Sequence, residues 1–250
     1  MTDGKNFYNK ERYVSGMFKI KIEPSFFAFE LMSYDTQILL HGQRTAKYAV
    51  ALADNCPQLF EKYTQAGKRE VLQAICDAGC LHDLGKEMFS RGLLYSEGKL
   101  SASEKKVMEQ HPVRTVELLE YEKGFMSHSP IYQSIVKNGC LYHHEKWDGL
   151  GYPFGLCEGN ITLEARIISA ADILDALTDN RAYKQAWSFV DAFAYLKEKF
   201  GAEKDEEMIK LLVRTHAELE DTYKSIRKSK TRYNSEKRWE KNKSAEVLHV

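Results

Sequence analysis

Proline is scarce in this chain, with five in 250 residues, and glycine is limited to 15. Long helices are therefore rarely interrupted by either breaker. No segment approaches the uninterrupted apolar length of a bilayer span, roughly 20 residues, so no membrane-spanning helix is predicted. The first residues, MTDGKNFYNKERYV, lack the apolar stretch of a signal peptide, and a cytoplasmic location is expected. Charge of one sign is missing too: 36 Lys and Arg balance 36 Asp and Glu. Without a global field there is no pull toward nucleic acid or an anionic membrane, so an anionic substrate would have to meet local basic residues. The five cysteines, Cys56, Cys76, Cys80, Cys140 and Cys157, are odd in number and scattered. Cys76 and Cys80 lie one helical turn apart, but no second pair completes a zinc-type set. They are expected to be reduced and mostly buried.

Alternating apolar and polar stretches long enough for a sheet are absent as well. What is present is helical spacing. Residues 36–53 place Ile38, His41, Thr45, Tyr48, Ala49 and Leu52 on one stripe at steps of three and four. Residues 69–82 do the same with Val71, Leu72, Ile75, Ala78, Gly79 and His82. Segments 102–120, 129–144, 162–180, 188–199 and 204–228 also read as helices, with Thr162 and Ser188 as N-caps. The fold class is all-α. Hydrophobic content of 43% suffices for a sizeable core.

Irregular stretches separate these helices. Residues 86–101 predict a connecting loop with a short hairpin, and 145–161 hold four glycines and one proline, so turns there are nearly forced. A loop of that length inside a compact domain is more often functional than filler. Three parts follow. Residues 1–35 carry Phe7, Tyr8, Tyr13, Phe18, Phe26, Phe27, Phe29 and Tyr34 and form an extension expected to pack on the core or on a partner subunit, as in a homodimer. Residues 36–222 are the main domain. Residues 223–250 are a basic tail expected to fray.

The chemistry-bearing residues are ordinary one at a time. A single histidine such as His41 on an apolar face is usually a hydrogen-bonded core residue. His111 before Pro112 could simply separate two helices. An isolated Asp172 among small apolar residues would be expensive to bury, and Asp175, one turn on, could be a supporting or capping group. The pairs change the reading. His82-Asp83 sets an imidazole beside a carboxylate at a helix end, followed by Leu84-Gly85-Lys86. His143-His144 sets two imidazoles at another helix end, followed by Glu145 and the glycine-rich loop. A divalent cation would neutralise a carboxylate buried among imidazoles. Such ligands suit Fe, Mn, Zn or Ni better than Mg or Ca.

The runs LHDLGK, EQHP, YHHEKWDGLGYPFGL and ARIISAADILDALTDNRAYK resemble the HD-GYP subgroup of the HD-domain metal-dependent phosphohydrolases, over roughly residues 37–200. The resemblance implies a helical bundle around a metal centre that hydrolyses a cyclic dinucleotide, chiefly cyclic di-GMP, to the linear dinucleotide. It implies one metal on His41, His82, Asp83 and Asp172, and a second on Asp83, His111, His143 and His144. Asp83 would bridge the two, and the ions would be divalent transition metals, Fe or Mn first, with Zn or Ni also suited. A metal-bridging hydroxide would attack phosphorus, with Asp83 and Lys86 as the catalytic pair. Lys86, Arg181 and Lys184 would bind phosphate, the last two sharing a helix face beyond Asp172. Tyr152 is a further substrate-side candidate, with a structural role as the alternative, and Asp148 is expected to fix the loop.

Three departures qualify the substrate. Gln37 stands where members with a third metal carry Glu, which implies two metals. The stretch EMFSRGLLYSEGKL replaces the usual loop after Lys86, with Ser96-Glu97-Gly98 at the turn. Thr115 replaces a usual Gly, adding bulk between packed helices. The alternatives are hydrolysis of another nucleotide phosphoester and a catalytically weak cyclic-dinucleotide sensor.

Overall fold

The computed structural model describes residues 22–25, 28, 35–96, 98–179 and 185–247, with 232–247 as backbone alone. Among these residues every regular element is helical, and the one β-type contact is an isolated bridge between Asp148 and Cys157. In chain order the helices are α1 (Thr36–Asp54), α2 (Pro57–Lys62), α3 (Lys68–Leu81), α4 (Arg91–Leu94), α5 (Ala102–Met108) and α6 (His111–Tyr121). They continue with α7 (Lys123–Met126), α8 (Pro130–Tyr142), α9 (Leu163–Thr178), α10 (Phe189–Ala202) and α11 (Glu206–Val247). Short 3-10 turns span Leu84–Met88 and Glu158–Asn160. No described helix is long and apolar enough to cross a membrane.

α1 starts where Asp35 Oδ1 accepts the backbone N–H groups of Gln37 and Ile38, at 2.8 and 3.2 Å, satisfying two otherwise orphaned donors. It packs on α3 and α9. The α1–α3 crossing is close because its contact residues are small. A Cβ on Gly42 would stand 2.3 Å from the Cys80 carbonyl oxygen, and one on Gly79 would stand 2.6 Å from the Ala46 Cα. That approach brings His41, next to Gly42, alongside His82 at the end of α3. α9 runs through the centre, in contact with α1, α3, α8 and α10, and its Ile167, Ile168, Ala170, Ala171 and Leu174 are fully buried. Each such large aliphatic side chain contributes about 1.5–3 kcal/mol of transfer free energy. Asp172 sits in this apolar context.

The structure departs from the sequence expectations at several boundaries. The helix expected over 102–120 is two helices, broken at Glu109-Gln110. Pro112 in the first turn of α6 lacks the N–H that a continuous helix would need. α5 keeps its own start, a capping box between Ser101 and Glu104. Among the described residues of 86–101 no hairpin forms: the segment coils into the 3-10 turn at Leu84–Met88 and then α4, whose N-cap Ser90 accepts Leu93 N–H. Ser188 caps α10 through Asp191 N–H, whereas Thr162 precedes α9 without a side-chain cap. α11 runs on to Val247, past Lys228, where the helix expected over 204–228 ends. Its sequence from Glu206 onward has no Gly or Pro and is rich in Lys, Arg and Glu, all good helix formers.

The aromatic residues of the N-terminal extension lie outside the described residues. The parts of that extension that are described touch the body: Asp77 Oδ1 accepts Ser25 N–H at 2.8 Å, and Gln73 Nε2 donates to the Glu23 carbonyl at 2.7 Å. Four of the five cysteines are buried and Cys157 is exposed, and all are free thiols.

Candidate metal centre

Three helix C-termini use the same local device. His82, His111 and His143 each turn Nδ1 back onto the carbonyl three residues earlier, those of Gly79, Met108 and Cys140, at 2.9, 2.8 and 2.8 Å. A carbonyl oxygen only accepts, so each Nδ1 carries the proton and each Nε2 presents a lone pair. This closes the ends of α3, α5 and α8 and aims three unprotonated nitrogens into one space. Sequence spacing alone does not disclose that the capping and the aiming are one act.

The carboxylate of Asp83 lies between them. Its Oδ1 is 3.1 Å from His111 Nε2 and 4.0 Å from His143 Nε2. Its Oδ2 is 3.5 Å from His82 Nε2 and 3.8 Å from His41 Nε2. The Nε2 atoms of His111 and His143 are only 3.4 Å apart, and His82 Nε2 and Asp83 Oδ1 are buried without a hydrogen-bond partner. Lone pairs facing lone pairs repel, and orphaned buried acceptors are costly. A cation accepting from both sides removes both penalties, so this donor set fits divalent metal. Two clusters result: Asp83, His111, His143 and His144, and His41, His82 and Asp172, each with ligand atoms within 4.8 Å of one another. All seven residues come together, from five separate stretches of chain.

Protonation follows from burial and charge. Burial works against an ionised Asp83, but the Lys86 ammonium and the surrounding imidazoles hold its carboxyl well below the usual range. Asp172 is likewise held low, with burial overcome by the hydrogen bond and charge of His41. Burial lowers His82, and burial with neighbouring imidazoles lowers His143 strongly. Burial takes His144 down to about 3. At neutral pH these imidazoles are therefore neutral and the carboxylates ionised, the states in which they ligate metal. His41 goes the other way: burial would lower it, yet hydrogen bonds to Asp172 and Asp175 raise it to about 9.

The group behind His41 was legible only as a supporting residue. His41 Nδ1 donates to Asp175 Oδ2 at 2.7 Å while Nε2 faces Asp172 Oδ1 at 3.0 Å. A carboxylate behind a ligating imidazole fixes the tautomer and raises its basicity. Arg44 in turn grips Asp175 with Nε and Nη2. Sequence reasoning passed over Arg44. The signal was its spacing, since His41 and Arg44 are three apart on α1, opposite Asp172 and Asp175 on α9 and Asp179 just past its end, at steps of three and four.

The remaining expected residues divide. Lys86 Nζ sits 2.6 Å from Asp83 Oδ2, inside the centre. Tyr152 stacks on the His144 ring, centroids 4.6 Å apart, and meets His111 edge-on. The loop needs glycine beneath it, because a Cβ on Gly151 would stand 2.4 Å from Lys146 N. Asp148 accepts Leu150 N–H at 2.9 Å, and the larger part is played by Glu145, which accepts Phe154 and Leu156 N–H at 2.7 and 2.9 Å. Trp147 faces away, under the Arg166 guanidinium. Thr115 is more than bulk: its hydroxyl accepts Gly85 N–H at 2.8 Å and lies 2.9 and 3.2 Å from the carbonyls of His111 and His82. α9 ends at Thr178 with Asp179 extended, so the face carrying Asp172 stops before Arg181 and Lys184, which lie outside the described residues.

A family model described as HD domain matches residues 45–208. The cyclic di-GMP phosphodiesterase response regulator RpfG of Xanthomonas campestris is 39% identical over 60% of this chain and 38% of its own length. The 3'3'-cGAMP-specific phosphodiesterase 2 of Vibrio cholerae is 33% identical over 69% of this chain and 30% of its own. The chain thus spans about a third of the length of these relatives. Among solved structures, Bd1817, a HDG"Y"P protein from Bdellovibrio bacteriovorus, shares the fold with TM-score 0.50 at 18% identity, over 77% of this chain and 56% of that one. The chain belongs to the HD domain family.

Proposed function

We propose that this chain is a metal-dependent phosphodiesterase that opens a cyclic dinucleotide, cyclic di-GMP first, to the linear dinucleotide. The observation that carries the proposal is the two-sided use of Asp83, whose Oδ1 faces His111 and His143 while Oδ2 faces His82 and His41. His41, His82, Asp83 and Asp172 would hold one divalent cation, and Asp83, His111, His143 and His144 the other. Iron or manganese suits the imidazole and carboxylate donors. When bound, two such ions supply Lewis-acid stabilisation of a phosphoryl oxygen and activate water near neutral pH.

The chain's own groups do the rest. Lys86 holds an ammonium beside Asp83, within reach of a phosphate oxygen, where it would offset charge that develops in the transition state. Arg181 and Lys184 are assigned to the phosphate by resemblance, the guanidinium suiting bidentate contact. Tyr152, fixed against His144, offers an aromatic face to a base. Gln37 is an exposed neutral amide at the start of α1, which supports two cations and a reaction that stops at the linear dinucleotide.

The test is anaerobic loading with Fe(II) or Mn(II), followed by cyclic di-GMP, 3'3'-cGAMP and a nucleoside monophosphate, with products separated by chromatography. Linear dinucleotide from cyclic di-GMP, lost in His82→Ala, supports the proposal. Faster opening of 3'3'-cGAMP, for which one relative is named, would move the substrate. Tight binding without turnover in both metals would replace the enzyme with a sensor.

A further inference from the structure

Asp175 is the first link of a longer chain of charges. Arg44 Nε donates to its Oδ1 at 2.7 Å and Arg44 Nη2 to its Oδ2 at 2.9 Å. The same Nη2 donates to Asp179 Oδ2 at 2.7 Å, and the other oxygen of Asp179 accepts from Lys230 Nζ. The series Lys230, Asp179, Arg44, Asp175 alternates in sign and ends on His41 Nδ1. It connects α11 and the end of α9 to the ligand-bearing face of α1. Exposure falls along it, with side chains 35% exposed at Lys230, 22% at Asp179, 16% at Arg44 and 2% at Asp175.

A buried ion pair is poor evidence of a stability device, since desolvation cancels much of its attraction. Another role accounts for its placement. Asp175 has to stay ionised and correctly turned to accept the His41 N–H, because that bond keeps Nε2 free for a cation. Arg44 holds both oxygens of Asp175 in a two-pronged grip. Asp179 steadies the shared Nη2, and Lys230 steadies Asp179. We infer that Arg44, Asp179 and Lys230 are positioning residues for the cation assigned to His41, His82 and Asp172, so that helix α11 sets that ion's affinity without touching it. The inference rests on the metal centre proposed above.

The test is metal titration of the full chain against a competing chelator, resolving the two sites, in wild type, Arg44→Lys, Asp179→Asn and Lys230→Ala. Loss of a partner behind a ligating histidine costs about 10–100-fold in metal affinity. The expected result is a loss at one site only, largest in Arg44→Lys, smaller in Asp179→Asn and smallest in Lys230→Ala. The second site should stay within about twofold, the resolution adequate to a 10–100-fold effect. A purely structural staple would instead lower the melting temperature of chelator-treated protein and leave both metal constants unchanged, which would overturn the inference. If Arg44→Lys fails to fold, the more exposed Asp179→Asn and Lys230→Ala carry the test. Wild type that takes up no metal would defeat the metal centre itself. Wild type with two metals and unaltered constants in all variants would defeat this inference alone.

Discussion

Thr115→Val swaps a hydroxyl for a methyl at nearly constant shape and isolates what the hydroxyl does. Thr115 is fully buried. Its oxygen accepts Gly85 N–H at 2.8 Å and shares its own hydrogen with the carbonyls of His111 and His82. In the variant the buried Gly85 N–H loses this acceptor, and no solvent replaces it. An unsatisfied buried donor costs about 1–3 kcal/mol. The His111 carbonyl at the start of α6 loses a supplementary donor only, a smaller effect. The sum is about 2–3 kcal/mol, which in a chain of this size lowers the melting temperature by roughly 4–12 °C. Gly85 is two residues after Asp83, so movement there also disturbs the ligand that faces both clusters. Metal affinity should fall by about tenfold at both sites, within the range seen for supporting groups. Thr115→Ser, which keeps the hydroxyl, should restore most of the affinity. Differential scanning fluorimetry of chelator-treated protein and a chelator competition assay read the two effects. A Thr115→Val protein with unchanged melting temperature and unchanged metal constants would refute the reasoning.

Gly85→Ala should be worse, because its Cβ would stand 2.2 Å from the His111 carbonyl oxygen and 2.6 Å from Thr115 N. A loss of at least about 2 kcal/mol by urea unfolding is expected, against no loss in Gly92→Ala, whose Cβ would meet nothing within 4 Å. Equal midpoints for the two variants would contradict the packing account. In chelator-treated protein His144 titrates at about 3 because it is buried, while the unfolded chain takes up the same proton near the ordinary value of about 6.5. The unfolded state therefore binds more protons between these values, and stability falls as pH drops below about 6.5, by up to ~1.4 kcal/mol per unit from this group. His144→Gln should flatten that slope, and an unaltered slope in urea titrations would count against the assigned burial. Tyr152→Ala should weaken metal binding by removing the ring stacked on His144, whereas Tyr152→Phe should leave metal binding unchanged and raise KM only if the hydroxyl touches substrate. Loss of metal in the Phe variant would show the hydroxyl, not the ring, to be the support.

Most of the helices were readable because their buried faces repeat at steps of three and four, as in α1 and α3. The His-Asp and His-His pairs were readable because each stands at the end of such a run. What periodicity could not show is how close two runs come. The meeting of His41 with His82 depends on Gly42 and Gly79 letting α1 and α3 nearly touch, and small residues carry no signal about which partner they meet. The break at Glu109-Gln110 was foreshadowed by Pro112 yet hidden by the good helix formers on both sides. α11 outran its expected end because charge density suggested fraying, while the absence of any helix breaker favoured continuation. Arg44 and Glu145 were missed for a shared reason: a charged side chain on a helix or just past its end is usually solvated. Only the fold shows Arg44 turned inward onto Asp175, and Glu145 holding two loop amides.

The central claim is that one carboxylate, Asp83, serves two cations held by separate histidine sets. Metal content after anaerobic loading with Fe(II) or Mn(II) and desalting tests it most directly, in wild type, Asp83→Ala and His41→Ala. The account predicts two ions per chain in wild type, loss of tight binding at both sites in Asp83→Ala, and one retained ion in His41→Ala. An Asp83→Ala protein that folds and still holds two ions would contradict it.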